Sequence, residues 1–499
     1  MKFERASGIL LHPTSLPSSH GIGDLGQSAY DFIDFMARSG QSLWQILPLG
    51  PTGYDHSPYT MNFSAFAGNP LMVSLEKLVA EGLLEESEAA PLEDANRDRV
   101  QFSRVIPHKT KALRKAFERF KEQNQSELEQ FSTEQSWWLD DFVLFMALLE
   151  ENDGKPWSHW ERGIARREPD AMKAKADELS EEIAFHRFVQ FKFFQQWAAL
   201  RAYVNEKNIQ IIGDVSIYVC HNSADAWAHP ELFKLDPQTL DPAYIAGVPP
   251  DYFSETGQLW GNPVYDWDAC QASGFDWWIS RFKATLQYVD WVRVDHFRGF
   301  EAYWQVPASE ETAMNGEWVK APGEAFFETL AEKLGSLPVL AEDLGVITPE
   351  VEALRDRFEF PGMKILMFAF DGDPNNTHLP QNYPTNCIVY SGTHDNDTAI
   401  GWWESLTEQD KYKATQALGY SNPEDIKEIN WLLIETALKS NADLAIVPLQ
   451  DLLGLGHSAR MNDPSVIPNN WRWKYASSDL LTEEISRRFK GLTRESSRV

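Results

Sequence analysis

Short, nearly uninterrupted apolar runs recur along the chain, rich in β-branched residues and each ending in polar or acidic residues with Gly or Pro. They occupy residues 8–16, 42–49, 209–219, 288–297, 337–345, 363–370, 387–395 and 444–453. Runs this short without polar alternation predict strands buried on both faces, as in a parallel sheet. Amphipathic stretches at 29–38, 277–287, 349–358 and 423–439 follow or precede several of them and predict helices. Eight buried strands alternating with helices predict an α/β fold, a (β/α)₈ barrel, with a doubly wound open sheet as the alternative. The sixth unit is weak, because residues 372–386 are rich in Pro and Asn and show no helical period.

The spacing of the runs is uneven. Between the second and third lies a charged amphipathic stretch, with helical pattern at 109–123, 134–150 and 181–204. Residues 74–205 therefore read as a mainly helical insertion in a barrel loop. Residues 220–287, between the third and fourth runs, are rich in Gly, Pro and aromatics and read as a loop-rich insertion; long loops in compact domains are usually functional. With no flexible linker or repeat, residues 1–499 read as one barrel carrying both insertions.

Composition narrows the partners. Asp and Glu number 74 against 45 for Lys and Arg, a net charge of −29, which repels phosphate backbones and anionic lipid. Nucleic acid and membrane are disfavoured and a neutral substrate suits the charge. Three scattered cysteines, Cys220, Cys270 and Cys387, have no metal-ligand spacing, and Pro13 interrupts an N-terminus without a signal-peptide core. No apolar run is long enough to span a bilayer. A cytoplasmic protein is expected; its oligomeric state stays open.

The glycines at 21, 23 and 26 match the G-x-G-x-x-G dinucleotide fingerprint, but the preceding run ends near Leu16, four residues intervene, and no acidic residue follows at the required distance. A glycine-rich turn entering a helix is the better reading. The stronger signal is carboxylates at strand ends: Asp295 within VRVDHFR (292–298), Glu342 within AEDLG (341–345), Asp395 beside His394 in GTHDND (392–397), Asp214 in the third run, and Asp371 after the sixth. In a parallel barrel these ends share one face, where loops build the site. Five acids at one mouth must bind metal, pair with bases, or act catalytically. A Mg²⁺-dependent lyase is disfavoured because no lysine ends these strands. A retaining glycosidase-type site is favoured by Tyr54, Tyr59, Tyr252, Phe253, Trp260 and Trp304 in loop-like stretches, since aromatic faces suit pyranose rings. Trp137, Trp138, Phe191 and Phe194, in helical stretches, read as packing residues.

LLHPTSLP (10–17), SPY (57–59), SAFAGNP (64–70) and above all GVPPDYFSETGQLWGNP (247–263) resemble the 4-α-glucanotransferases of glycoside hydrolase family 77, relatives of the α-amylases, over nearly the whole chain. The resemblance implies transfer of α-1,4-glucan segments between malto-oligosaccharides or starch-type glucans, with no cofactor and no metal. It implies Asp295 as nucleophile, Glu342 as general acid/base and Asp395 as a third carboxylate gripping sugar hydroxyls. Arg293, His296, His394 and Asp214 match positions lining the donor subsite, and Tyr59, Asp371 and Asn462 match other sugar contacts. Tyr252, Phe253 and Trp260 match the loop over the cleft, and Tyr54 a second glucan-contacting position. Independently, Arg293 precedes Asp295 by two residues on one strand, so both side chains point the same way and the guanidinium is expected to keep Asp295 ionised.

The chain departs from the family pattern at Asp55-His56, where Gly-Asp is usual, by one extra residue between Tyr59 and Phe63, at Ser216, where Pro is usual, and at 462–465, where Asn-Asp-Pro-Ser replaces Asn-x-Pro-Gly. These positions bear on chain-length preference and spare the three carboxylates. A hydrolase on the same substrates and a non-catalytic glucan-binding protein are the competing readings.

Overall fold

A computed structural model describes residues 4–53, 55–93, 95–123, 125–250, 254–466 and 469–498. Twelve strands are present among them: β1 Ala6–Leu10, β2 Leu43–Gln45, β3 Gln210–Val215, β4 Tyr244–Val248, β5 Gln258–Pro263, β6 Trp291–Val294, β7 Ala302–Pro307, β8 Glu317–Lys320, β9 Val339–Ala341, β10 Gly362–Ile365, β11 Cys387–Tyr390 and β12 Leu444–Pro448.

Eight form one parallel sheet in the order β10-β11-β12-β1-β2-β3-β6-β9. Its two end strands meet where the Ala341 N–H donates to the Pro361 carbonyl at 2.9 Å, so the sheet is a nearly closed barrel. All eight apolar runs supply one barrel strand each. The strands are shorter than the runs, and at two of them proline marks the change: Pro13 starts a 3₁₀ turn, Pro13–Ser15, and Pro448 gives way to the helix Leu449–Leu452.

Helices fill the crossovers. Gln27–Arg38 leads into β2 and buries Ala29, Phe32, Ile33 and Met36, one face at helical spacing. Ser180–Glu206 leads into β3, Asp276–Tyr288 into β6, Gly323–Leu334 into β9, Pro349–Arg357 into β10 and Ile429–Lys439 into β12. The helix read over 423–439 is broken: Pro423–Asp425 is a separate 3₁₀ turn and the α-helix starts at Ile429. The β10–β11 connection holds only 3₁₀ turns among the described residues, in keeping with its Pro- and Asn-rich composition. Between β2 and β3, Phe102–Phe120 and Ser126–Glu151 pack with Ser180–Glu206. Trp138 and Phe191 are buried there, whereas Trp137 is 48% exposed, edge-on to Phe66 at 4.9 Å. The glycine-rich turn is tied to this layer by Asp24, whose Oδ2 lies 3.1 Å from Lys109 Nζ, with both side chains buried.

A second, antiparallel sheet, β5-β4-β7-β8, is a feature the periodicity did not reveal. Its strands carry glycine and proline where alternation would be sought: a Cβ at Gly247 would lie 2.2 Å from the Gln258 carbonyl oxygen, so glycine is what lets β4 and β5 pair. The edge strand β8 is mostly exposed and carries Glu317 and Lys320, which discourage further pairing.

Close strand contact also governs β1. A Cβ at Gly8 would fall 1.9 Å from the Leu43 carbonyl oxygen of β2. Gly8→Ala is expected to destabilise the fold by about 3 kcal/mol or more by forcing the strands apart, read as a lower urea midpoint. An unchanged midpoint would show that the barrel tolerates wider spacing there.

Candidate active site

Three barrel strands deliver charged groups to one point. Asp214 of β3 is in register with Arg293 of β6, and Asp295 follows two residues later on the same side. Arg293 Nη1 lies 2.7 Å from Asp214 Oδ2 and 2.9 Å from Asp295 Oδ1, so one guanidinium nitrogen bridges both carboxylates. This is the contact that the spacing of Arg293 and Asp295 predicts. The Tyr59 hydroxyl donates to the same Asp214 oxygen at 2.9 Å. Burial would lower the affinity of Arg293 for its proton, but the charges of Asp214 and Asp295 outweigh it and hold the cation well above the usual range. Asp214, its side chain 0% exposed, is pushed up to about 7 by burial and by Asp295, against Arg293 and Tyr59.

The barrel ladder continues past the strand ends and anchors the acids. The Asp295 N–H donates to the Val215 carbonyl and the Glu342 N–H to the Val294 carbonyl, both at 3.0 Å. The Glu342 carboxylate accepts from the His296 N–H at 2.7 Å and the Leu344 N–H at 2.9 Å. These donors and Arg293 favour its charged form, yet burial and the neighbouring Asp295 prevail and push it up to about 8. His296 pays for its N–H contact with a left-handed backbone, φ 51°. Its ring stands edge-on to Trp260 of β5 at 4.8 Å, and burial holds it neutral, down to about 3.

Asp395 sits across the mouth, 45% exposed at its side chain. His394 Nε2 lies 3.3 Å from its Oδ2, Asn462 Nδ2 donates to its Oδ1 at 2.6 Å, and Arg460 Nη2 to its carbonyl at 2.8 Å. The His394 ring stacks on Tyr59, centroids 5.1 Å apart, and burial lowers its pKa. The structure thus joins Tyr59, Asp214, Arg293, Asp295, His296, Glu342, His394, Asp395, Asn462 and Trp260.

Asp371 lies beyond β10 and the turn Leu366–Phe368, exposed, accepting from the Asp373 N–H and Asn376 Nδ2. Asp214 is buried and takes Tyr59 and Arg293 as its partners. Tyr54, Tyr252 and Phe253 lie outside the described residues. Three neighbours were not singled out from sequence. The Trp471 ring tilts against Tyr59 at 5.7 Å and His394 at 5.8 Å, Arg460 grips Asp395, and His12, buried after β1 and affected by His394, is drawn down to about 3. The only signal for Trp471 was its place in an aromatic stretch shortly after Asn462.

The family model described as 4-alpha-glucanotransferase matches residues 11–480. The chain belongs to that family, glycoside hydrolase family 77. It is 54% identical to the 4-alpha-glucanotransferase of Synechocystis sp. over 483 residues, covering 96% of this chain and 95% of that one. Identity to the Thermus thermophilus 4-alpha-glucanotransferase is 48% over 500 residues, 98% of each chain. The amylomaltase from Streptococcus agalactiae, solved in complex with acarbose, superposes with a TM-score of 0.95 at 39% identity, covering 99% of this chain and 100% of that one. As a member of the 4-alpha-glucanotransferase family, the chain is an enzyme acting on α-1,4-glucans.

The Tyr59 hydroxyl is one of the few donors offsetting the burial of Asp214. Tyr59→Phe keeps the ring stacked on His394 and removes that donor, so Asp214 is expected to titrate higher by about one unit, the worth of one hydrogen bond. NMR of selectively ¹³C-labelled aspartate reads it; an unmoved titration would mean that Arg293 alone sets the charge of Asp214.

Proposed function

We propose that the enzyme transfers α-1,4-glucan segments between malto-oligosaccharides by two displacements through a glucosyl ester on Asp295. The observation that carries the reading is the unequal treatment of two neighbouring carboxyls: Asp295 is ion-paired to Arg293 and accessible, while Glu342 is pushed up to about 8. One suits a nucleophile and the other a proton donor near neutral pH. In the first step an Asp295 oxygen attacks the anomeric carbon, the glycosidic bond breaks, and the Glu342 proton passes to the leaving 4-oxygen. In the second, the 4-hydroxyl of an acceptor glucan attacks the same carbon, its proton returns to Glu342 and Asp295 leaves. Two inversions retain the α configuration. Asp395, oriented by His394 and Asn462, is placed to hold hydroxyls of the donor sugar, and the neutral rings of His296 and His394 can donate without adding charge. The acarbose bound by the Streptococcus agalactiae relative supports a saccharide occupant.

The wider reading follows. The chain functions as one barrel, with 74–205 and 220–287 as insertions. Its strong negative charge argues against nucleic acid and anionic membrane as partners, and no described helix is long and apolar enough to cross a membrane. Three free cysteines favour the cytoplasm.

Transfer requires that an acceptor outcompete water for the ester by being held in line. Maltotriose is expected to yield glucose and a ladder of longer malto-oligosaccharides with reducing ends nearly constant, and Trp260→Ala to lower transfer more than hydrolysis. A steady rise in reducing ends without longer products would make the enzyme a hydrolase.

Asp295→Asn and Glu342→Gln should each cost at least about a thousandfold in kcat with the fold intact. Because Glu342 must enter the first step protonated, kcat/KM of the wild type should fall above pH 8 as it ionises. If Asp295→Asn retains near wild-type turnover, the nucleophile is elsewhere.

A further inference from the structure

Arg281, on the crossover helix Asp276–Tyr288, is 4% exposed, yet no carboxylate contacts it directly among the described residues. Its guanidinium lies over the rings of Trp277 and Trp278, 5.5 and 5.1 Å from their centroids, and Nη2 donates to Ser216 Oγ at 3.4 Å. Nε and Nη1 are buried and without a hydrogen-bond partner. On the other side, Asp214 uses Oδ2 for both Tyr59 and Arg293, and its Oδ1 is likewise buried and unpaired. Asp214 and Arg281 line one cavity of about 70 Å³, whose other walls are mostly apolar. Two orphan donors and an orphan acceptor on two residues of one cavity supply the polar partners that retain a buried water, and a single water needs only about 10–15 Å³ of such space.

We propose that Arg281 is a second cation of the catalytic cluster, a positioning residue that holds Asp214 charged and oriented through water bridging Arg281 Nε and Nη1 to Asp214 Oδ1. The proposal rests on the reading of Asp295 as nucleophile, since Asp214 serves it by fixing Arg293. Ser216, where the family pattern has proline, supplies the direct acceptor that aims the guanidinium. The charged and titratable groups around Asp214 are Tyr59, Arg293, Asp295 and Tyr390 besides Arg281, and those around Arg281 are Tyr265, Asp225 and Asp214. Removing a cation from this set raises the pKa of Asp214, already drawn up to about 7 by burial, and so extends the acidic range in which the Arg293 bridge is weakened.

The test uses Arg281→Met, Arg281→Gln and Arg281→Lys in the full chain, with folding checked by circular dichroism and thermal unfolding. The neutral variants should move the acid limb of kcat/KM for maltotriose transfer up by about one pH unit, about tenfold loss near pH 6 fading above pH 8, while Arg281→Lys stays within about 0.3 unit. A folded neutral variant whose activity falls equally at every pH, or is unchanged, overturns the proposal. So does Arg281→Lys shifted as far as the neutral variants. Should neither neutral variant fold, a high-resolution crystal structure of the wild type decides: ordered water within hydrogen-bond distance of both Asp214 Oδ1 and Arg281 supports it, and its absence overturns it. A wild type without transfer activity would overturn the functional reading instead, whatever the water shows.

Discussion

The bridge that Arg293 makes between Asp214 and Asp295 organises the active site. The buried Arg293 guanidinium has its charge met on both sides, by the buried Asp214 and the more accessible Asp295. The bridge needs three things from the barrel: β3 and β6 as neighbours, in parallel, with Asp214 and Arg293 in register. A shift of one residue would turn Arg293 out of the barrel and bring Val294 in, so the register carries the chemistry as well as the fold. Truncating the arginine would leave two carboxylates facing each other, and breaking a buried pair of this kind typically costs about 3–5 kcal/mol.

Around that bridge the protein sorts its titratable groups by environment. Asp295 keeps an accessible, paired position; Glu342, one strand over, is pressed toward its neutral form; His12 and His296 are drawn far down by burial, and His394 is lowered in the same way. Uncharged imidazoles beside carboxylates give hydrogen-bonding capacity without neutralising the acids, which suits a polar, uncharged ligand. The aromatic faces of Tyr59, Trp471 and Trp260 complete the mouth with apolar surface.

The barrel was legible because its strands are buried on both faces, and burial on both faces writes a continuous apolar run that needs no partner to be recognised. The acidic segments of the cluster were legible for a related reason: each lies at the end of such a run. The small sheet was not, since β5 and β8 carry Gly, Pro and charge and are held by pairing with β4 and β7. The run before Asp371 ends like the others, and the 3₁₀ turn Leu366–Phe368 separates the acid from β10.

The sequence by itself determined the eight strands, the Arg293–Asp295 pair on one side of one strand, and the membership of the family, all properties of local pattern and spacing. Tertiary structure alone decided that Asp214 is buried against Arg293 and Tyr59, that Trp471 and Arg460 join Tyr59 and Asp395 from the far end of the chain, and that Arg281 lines the same small cavity as Asp214. Those outcomes depend on which groups are desolvated together, and desolvation is a property of the packed neighbourhood that no run of consecutive residues encodes.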